Sequence, residues 1–510
     1  MSKTIIIIGA GLAGRSAALQ AAENGCNVKL VSSLPSERAQ SVMAEGGINA
    51  ALNTKDENDS PEEHFTDTIK AACGLADPNA VWGMTQAAPE LVHWLLKLGV
   101  KFNMSGYDDV DLRNFGGQKK KRTAFAQSDT GKQIMTAMID AVRRKEASGM
   151  VERFSHHSFL TLRLCGNICC GCVIRDEYSQ ETVELPGDAV IVATGGMHGL
   201  FGNTTGSLSN TGEVTAELFR LGVPLANGEM IQYHPTTVKC GGKRMLISEA
   251  ARGEGGRLFA MKDGKQWYFM EEKYPELGNL MPRDITAREI WKVSHESEVF
   301  LDMTEISEEI ISNKLSGLAD DCMTYLHKDI RKEPVSVLPG IHYFMGGILV
   351  DEQHRTPIQN LYAAGECCAQ YHGANRLGGN SLLGALYGGR VAAKSACEQA
   401  DVVDLSCATQ IDFPPASQIS EIKQLNKVMQ ETMGVVRNEN TLLNGIQTVQ
   451  ALTGNLPLLG MAVLKSALAR KESRGAHWRE DYPKSNDDDY LKTTVARFDG
   501  KQIQISFVPV

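Results

Sequence analysis

Four side chains able to carry positive charge, His234, Arg283, His342 and Arg376, stand far apart in the chain. Each sits among Gly or Pro, in the runs YHPTT, MPRDI, GIHYFMGG and HGANRLGGNSLL. That setting suits residues delivered from separate loops to one pocket. Two guanidiniums and two imidazoles converging there suit a small dianion, because a guanidinium grips a carboxylate with two parallel N–H donors. Near the N-terminus a different chemistry is written. Lys3 to Ile8 is a β-branched run of the kind buried on both faces of a parallel sheet. GAGLAG (residues 9–14) follows at once, then a helical stretch from Arg15 to Asn24 and a second strand from Asn27 to Val31. In a strand–turn–helix context, Gly9 permits the tight turn, Gly11 lets a pyrophosphate approach the backbone beside Ala10, and Gly14 lets helix and strand pack closely. A dinucleotide at one end and a dicarboxylate clamp later outline a redox enzyme.

The elements that must position these residues follow from the bulk pattern. At 510 residues the chain is too long for one core. Two later apolar runs, DAVIVATGG (from Asp188 through Thr194 and Gly195) and NLYAAGE (to Glu366), read as further strands of the same sheet ending at a cofactor. Composition turns mixed and loop-rich between them, so residues 228–339 read as an inserted lid. Residues 1–227 and 340–400 then form a discontinuous nucleotide-binding domain. From 401 to 510 the spacing is helical, with amphipathic stretches at Ser417–Thr432, Thr441–Thr453 and Gly460–Lys471. The fold class is α/β: a Rossmann-like domain, an inserted α+β capping domain and a helical C-terminal domain.

Composition excludes several classes. A net charge of −9 and a pI near 5.8 argue against a nucleic-acid surface, and the run QKKKR (Gln118 to Arg122) reads as a solvated loop. No segment approaches the roughly 18 consecutive apolar residues of a membrane helix, so no direct span is expected and the chain reads as cytoplasmic. Twelve irregularly spaced cysteines are no secreted disulfide framework. The tightest group, Cys165, Cys169, Cys170 and Cys172, lies on a hairpin turning at Gly166-Asn167. It lacks His ligands and paired spacing, so buried reduced thiols are the plain reading and no metal site is assigned.

Several long motifs in order carry a resemblance over nearly the whole chain. They are AEGGINAAL, FGGQKKKRTAFAQSDTG, ATGG, HPT, SEAARGEGG, PRD, HYFMGG, GANRLGGNSL and RKESRGAHWREDYP. With these the chain resembles the flavoprotein subunit of fumarate reductase and succinate dehydrogenase, a relative of L-aspartate oxidase. The resemblance implies FAD across the Rossmann-like sheet under a capping domain. Gly9, Gly11, Gly14 and Ser32 would hold pyrophosphate and ribose, Ser32 replacing the usual acid. Gln40, Ser41 and the loop Ala44-Glu45-Gly46-Gly47 would pass the flavin, and Glu366, Ser381 and Leu382 would touch the ribityl chain and ring. Glu213 stands where the family has Asp. His234, Ser248, His342 and Arg376 would hold substrate carboxylates, and Arg283 would donate the proton. Glu249 and Arg252, at i and i+3 of one helical face, fit a proton relay; a plain ion pair is the alternative.

Two departures bear on finer points. Membrane-bound relatives tether FAD to a His where this chain has Gln40, so the resemblance implies non-covalent FAD, a lower flavin potential and a bias toward reducing fumarate. Aspartate oxidase places Glu where this chain has Phe115, in Arg113-Asn114-Phe115-Gly116-Gly117. Phenylalanine offers an ammonium no counter-charge, which favours an unsaturated dicarboxylate. Aspartate oxidation, or reduction of a related unsaturated acid, is the alternative. Phe115, Met345 and Phe344 are expected to shape the pocket. The family's assemblies add an iron–sulfur subunit and a membrane anchor, and this chain has no cluster-binding cysteine pattern of its own.

Overall fold

The protein is described as a computed structural model covering residues 2–106, 109–401, 413 and 418–510. Its centre is a parallel five-stranded sheet in the order Leu361–Ala363, Ala189–Val192, Thr4–Ile8, Asn27–Ser32, Val151–Ser155. Ile5, Ile6 and Ile7 are fully buried, as a strand covered on both faces requires. Helix Leu12–Glu23 lies on this sheet beside helices Thr130–Ala147 and Asn380–Gln399. Two of these helices begin at the carboxyl ends of the strands, where ligands of open α/β sheets bind.

The segment between the two later strands of the central sheet builds the other side of the site. Strand Ile231–Cys240 pairs antiparallel with Lys243–Leu246 on one edge and Leu338–Phe344 on the other. Beyond it stands a four-stranded sheet of Lys265–Trp267, Arg257–Lys262, Val299–Asp302 and Val335–Ser336, packed with helices including Arg283–Val293. Its core holds Leu258, Ile290, Leu301 and Phe269. The strand Leu338–Phe344 runs across residue 339, where the sequence reading ended the lid.

The C-terminal region is helical as expected and adds a β-hairpin. Helices Ile419–Thr432, Glu439–Val449 and Asn455–Ala469 are present; the expected first residue of the earliest, Ser417, lies outside the described residues. A hairpin, Thr493–Phe498 with Ile503–Val508, then joins a sheet shared with Leu225–Ala226, Gly347–Leu349 and Cys368–Ala369. A short helix, Asp487–Tyr490, capped by Asn486, precedes that hairpin. Two further expectations change. In QKKKR, Lys119 and Lys121 are exposed, but Gln118 and Arg122 are buried, and Arg122 is paired with Asp59 and Asp67 at 2.9 Å each. Partners distant in sequence, invisible in a charge run, draw that arginine inward. The cysteine hairpin forms as expected, with Cys169, Cys170 and Cys172 buried and free, whereas Cys165 is disulfide-bonded.

A buried ion network ties the C-terminal region to the strand entering the lid. Arg470 donates to Glu229 at 2.7 Å and to Glu472 at 2.8 Å, and all three side chains are fully buried. Thr494 of the hairpin donates to the same Glu229 at 2.6 Å. Removing one member of such a set leaves an uncompensated buried charge. We expect Arg470→Met to lower the unfolding free energy by about 3–5 kcal/mol in urea titration; a loss under about 1 kcal/mol would contradict this account.

Candidate active site

One continuous cavity of about 970 Å³ joins the glycine-rich turn to the two arginines and two histidines singled out in the sequence. Its wall includes Gly9, Ala10, Gly11, Ser32, Gln40, Ser41, Ala44, Glu45, Gly46, Gly47, Thr194, Gly195, Glu213, Glu366, Ser381 and Leu382 on one side. Phe115, His234, Ser248, Glu249, Arg283, His342 and Arg376 line the other.

The turn is built for close approach by a ligand. Gly9 has φ +109°, and a Cβ there would lie 2.2 Å from the Ala193 carbonyl oxygen. A Cβ on Gly14 would lie 1.9 Å from the Gly9 carbonyl, so helix and strand touch there, behind the wall. Gly11 is different, for a Cβ would meet nothing nearer than Ser41 Oγ at 3.6 Å. Gly11 therefore faces open space at the N-terminus of helix Leu12–Glu23, where backbone N–H groups favour a phosphate. These features fit a dinucleotide.

At the other end, the two histidines come from paired strands. His234 lies opposite Gly340, beside an irregularity in the ladder, and its ring centroid is 5.1 Å from that of His342. The two residues sit on the strands that lead into and out of the inserted segment, so chain crossings separated by about a hundred residues become neighbours. Thr205 Oγ1 and His342 Nδ1 are 2.8 Å apart, while His234 Nδ1 lies 3.1 Å from the Thr236 carbonyl. His234 Nε2 is buried with no hydrogen-bond partner among the described residues. Burial, then the charges of Arg283 and neighbouring cations, hold both imidazoles well below their ordinary range, so both are neutral without a ligand.

Arg283 opens a helix behind Pro282, and its guanidinium is fixed on two sides. Nε and Nη2 donate to Glu249 Oε2 at 2.9 and 2.6 Å, and Nη1 donates to Gln232 Oε1 at 3.1 Å. Glu249 is the first residue of the short helix Glu249–Gly253, behind its N-cap Ser248. Its Oε1 accepts the Gly116 N–H at 3.0 Å and faces Arg252 Nη2 at 3.3 Å. Burial alone would raise the Glu249 carboxyl; Arg283, Arg252 and the Gly116 N–H outweigh it and hold the group below its usual range. Arg252 sits behind Glu249 and donates Nη1 to the Asn279 carbonyl at 2.6 Å. Arg376 lies with its guanidinium carbon 4.3 Å from the Tyr343 ring centroid, and its Nε has no hydrogen-bond partner among the described residues. Burial, then Arg283, pushes its pKa down to about 9.

Not every expected pocket residue reaches the wall. Met345 is buried in an apolar cluster with Leu75, Met230, Tyr343 and Ala374, and Phe344 packs its ring against His198 and Phe201. Both were expected to shape the pocket; apolar neighbours supplied from distant segments bury them in the core instead. Phe115 does line the cavity, wedged so tightly that a Cβ on Gly46 would come within 2.8 Å of it. Sequence reasoning missed Gln232, which donates Nε2 to Asn375 Oδ1 at 3.0 Å and to the Arg376 carbonyl at 2.8 Å. One amide thus links Arg283 to the loop of Arg376. Its place two residues before His234, on one face of a strand, was the available signal. Arg244 and Tyr343 also line the cavity unannounced.

Comparison with known proteins decides the family. Residues 4–382 match the model described as FAD binding domain, and 452–510 match fumarate reductase flavoprotein C-term. The succinate dehydrogenase flavoprotein subunit of Bacillus subtilis is 39% identical, over 97% of this chain and 94% of that one. The chain belongs to the succinate dehydrogenase/fumarate reductase flavoprotein family. The 8-methylmenaquinol:fumarate reductase flavoprotein subunit of Wolinella succinogenes is 32% identical over 97% of this chain and 88% of its own. A solved structure of E. coli quinol fumarate reductase FrdA superposes with TM-score 0.90 at 27% identity, covering 100% of this chain and 97% of that one. This family member is a flavoprotein oxidoreductase with an FAD-binding domain. Among its described residues, no helix is long and apolar enough to cross a membrane.

Gly11 provides a test of the cofactor side, because a larger side chain fits the free protein and fills only the cavity. Gly11→Val is expected to leave the melting temperature of the FAD-free chain within a few degrees while weakening FAD binding at least about tenfold. Undiminished FAD affinity in a fluorescence titration would contradict the assignment.

Proposed function

We propose that this chain interconverts fumarate and succinate and favours fumarate reduction. The observation that carries the reading is Arg283, buried, pinned by Glu249 and Gln232, and opening on the cavity that also holds the glycine-rich turn. Bound FAD supplies hydride chemistry when reduced. The chain's own residues do the rest. Arg376, His234, His342 and Ser248 bind the two carboxylates and hold the alkene planar and immobile. Addition of a hydride to one alkene carbon puts carbanion character on the other, and Arg283 delivers a proton there. A guanidinium is a weak acid in water, but a carbanion-like carbon is a far stronger base. The carboxylate of Glu249 takes a proton from Arg252 and passes it to the deprotonated Arg283, and Arg252 regains one from solvent. One alkene, one hydride and one proton make succinate.

Gln40 supports non-covalent FAD, since its amide forms no flavin bond and instead accepts the Ser207 N–H at 2.5 Å. An untethered flavin has the lower potential of the two forms, which favours giving hydride away. Phe115 on the wall supports an alkene dianion over an amino acid, because it offers an ammonium no counter-charge. We assign residues 1–227 and 340–400 to FAD binding, 228–339 to the cap and 401–510 to the C-terminal domain. The relatives are named as subunits. We infer that an iron–sulfur protein and a membrane anchor supply electrons to this chain in the cytoplasm.

Three measurements test the reading. FAD-loaded chain with reduced viologen should oxidise the dye only when fumarate is added, and Arg283→Ala should lower turnover by roughly 10²–10⁴-fold. Aspartate-dependent peroxide formation without fumarate turnover would overturn it. Acid precipitation should release all the FAD into the supernatant; yellow pellet would contradict the role of Gln40. Finally, burial and then neighbouring positive charge depress both histidines, so an arriving dianion raises them. Succinate binding should therefore take up protons below neutral pH, seen as a buffer-dependent calorimetric enthalpy. Equal enthalpies across buffers would sink that assignment.

A further inference from the structure

His198 is absent from every role above, yet it stands directly behind the cofactor side of the cavity. It opens the turn His198–Leu200 after the strand Ala189–Val192 and is 1% exposed. Its Nε2 lies 3.5 Å from Glu366 Oε1 and has no hydrogen-bond partner among the described residues. The same Oε1 accepts the Phe344 N–H at 3.1 Å. On the other side of the ring, Nδ1 is 2.9 Å from Thr204 Oγ1. That hydroxyl accepts the Gly206 N–H at 3.1 Å, which frees its own proton for Nδ1. The ring proton then belongs on Nε2, facing the carboxylate.

The imidazole has no freedom to turn. The Phe344 ring meets it edge-on, centroids 4.9 Å apart at 88°. A Cβ on Gly206 would lie 2.2 Å from His198 Cε1, and one on Gly196 would lie 2.7 Å from Glu366 Oε1. Both glycines are therefore needed for the imidazole and the carboxylate to lie where they do. The loop that His198 touches at Thr204 also carries Thr205, against His342, and Ser207, against Gln40. One buried ring thus braces a cavity carboxylate and the loop beside it.

We propose that His198 is a positioning residue: it fixes Glu366 so that the carboxylate accepts hydroxyl donors of bound FAD. This rests on the FAD reading. A carboxylate that accepts one backbone N–H and faces an imidazole nitrogen at 3.5 Å presents its remaining lone pairs in fixed directions, and FAD carries hydroxyls on its ribityl and ribose portions.

The test is a double-mutant cycle on the full chain, read as the FAD dissociation constant from flavin fluorescence after removal and re-addition of FAD. His198→Ala should weaken FAD about tenfold, and Glu366→Gln by a similar factor. The double variant should bind no more weakly than Glu366→Gln alone, because the histidine acts through that carboxylate. His198→Gln should recover binding to within about threefold, since its amide can donate toward Glu366 and accept from Thr204. Additive losses, or undiminished binding by His198→Ala, would overturn the role of His198 and leave the FAD reading intact. A wild-type chain that binds no FAD would overturn both.

Discussion

The site is organised by a shortage of negative charge. Arg283 and Arg252 share the single carboxylate of Glu249, and all three are nearly or fully buried. Arg376, buried nearby, has an aromatic face against it and no carboxylate bonded to it among the described residues. Burying cations without counter-ions is costly, and the depressed pKa of Arg376 and of both histidines is that cost expressed as proton affinity. A dianion entering the cavity relieves it. Strain of this sign gives selectivity: an acid with two carboxylates gains twice, a neutral ligand gains nothing, and an added ammonium meets repulsion.

The rest of the fold keeps that imbalance from collapsing. Glu249 cannot swing to neutralise Arg376, because the Gly116 N–H and two guanidiniums hold it. Gln232 couples the helix start carrying Arg283 to the loop carrying Arg376, so the two guanidiniums keep their spacing without a shared acid. The histidines are spaced by the ladder between Ile231–Cys240 and Leu338–Phe344. Behind that ladder, Glu229 and Arg470 lock the strand's approach to the C-terminal hairpin. The last residues of the chain thereby support a site none of them enters.

Much of this was legible because the chemistry is written locally. GAGLAG between strand and helix needs only short-range reading, and the Gly- and Pro-rich settings of His234, Arg283, His342 and Arg376 marked them for one pocket, although His234 and His342 lie on strands and Arg283 opens a helix where loops were expected. What escaped depends on distant partners. Arg122 looks solvated within its lysine run and is buried because Asp59 and Asp67 wait elsewhere. Met345 sits three residues from His342, just past the strand, but distant Leu75 and Met230 bury it in the core. The C-terminal hairpin has strands of six residues each, too short for alternation to overrule the helices before it. Gln232 and His198 carry no motif, and their importance appears only when the groups they touch are placed.

The most direct test is a crystal structure of the FAD-loaded chain with a non-reactive saturated dicarboxylate such as malonate. The account predicts one carboxylate on Arg376 and His342, the other near His234 and Ser248, and Arg283 still bonded to Glu249 with a guanidinium N–H turned to the ligand. A dicarboxylate bound outside the cavity, or Arg283 turned away from a ligand inside it, would contradict the central claim.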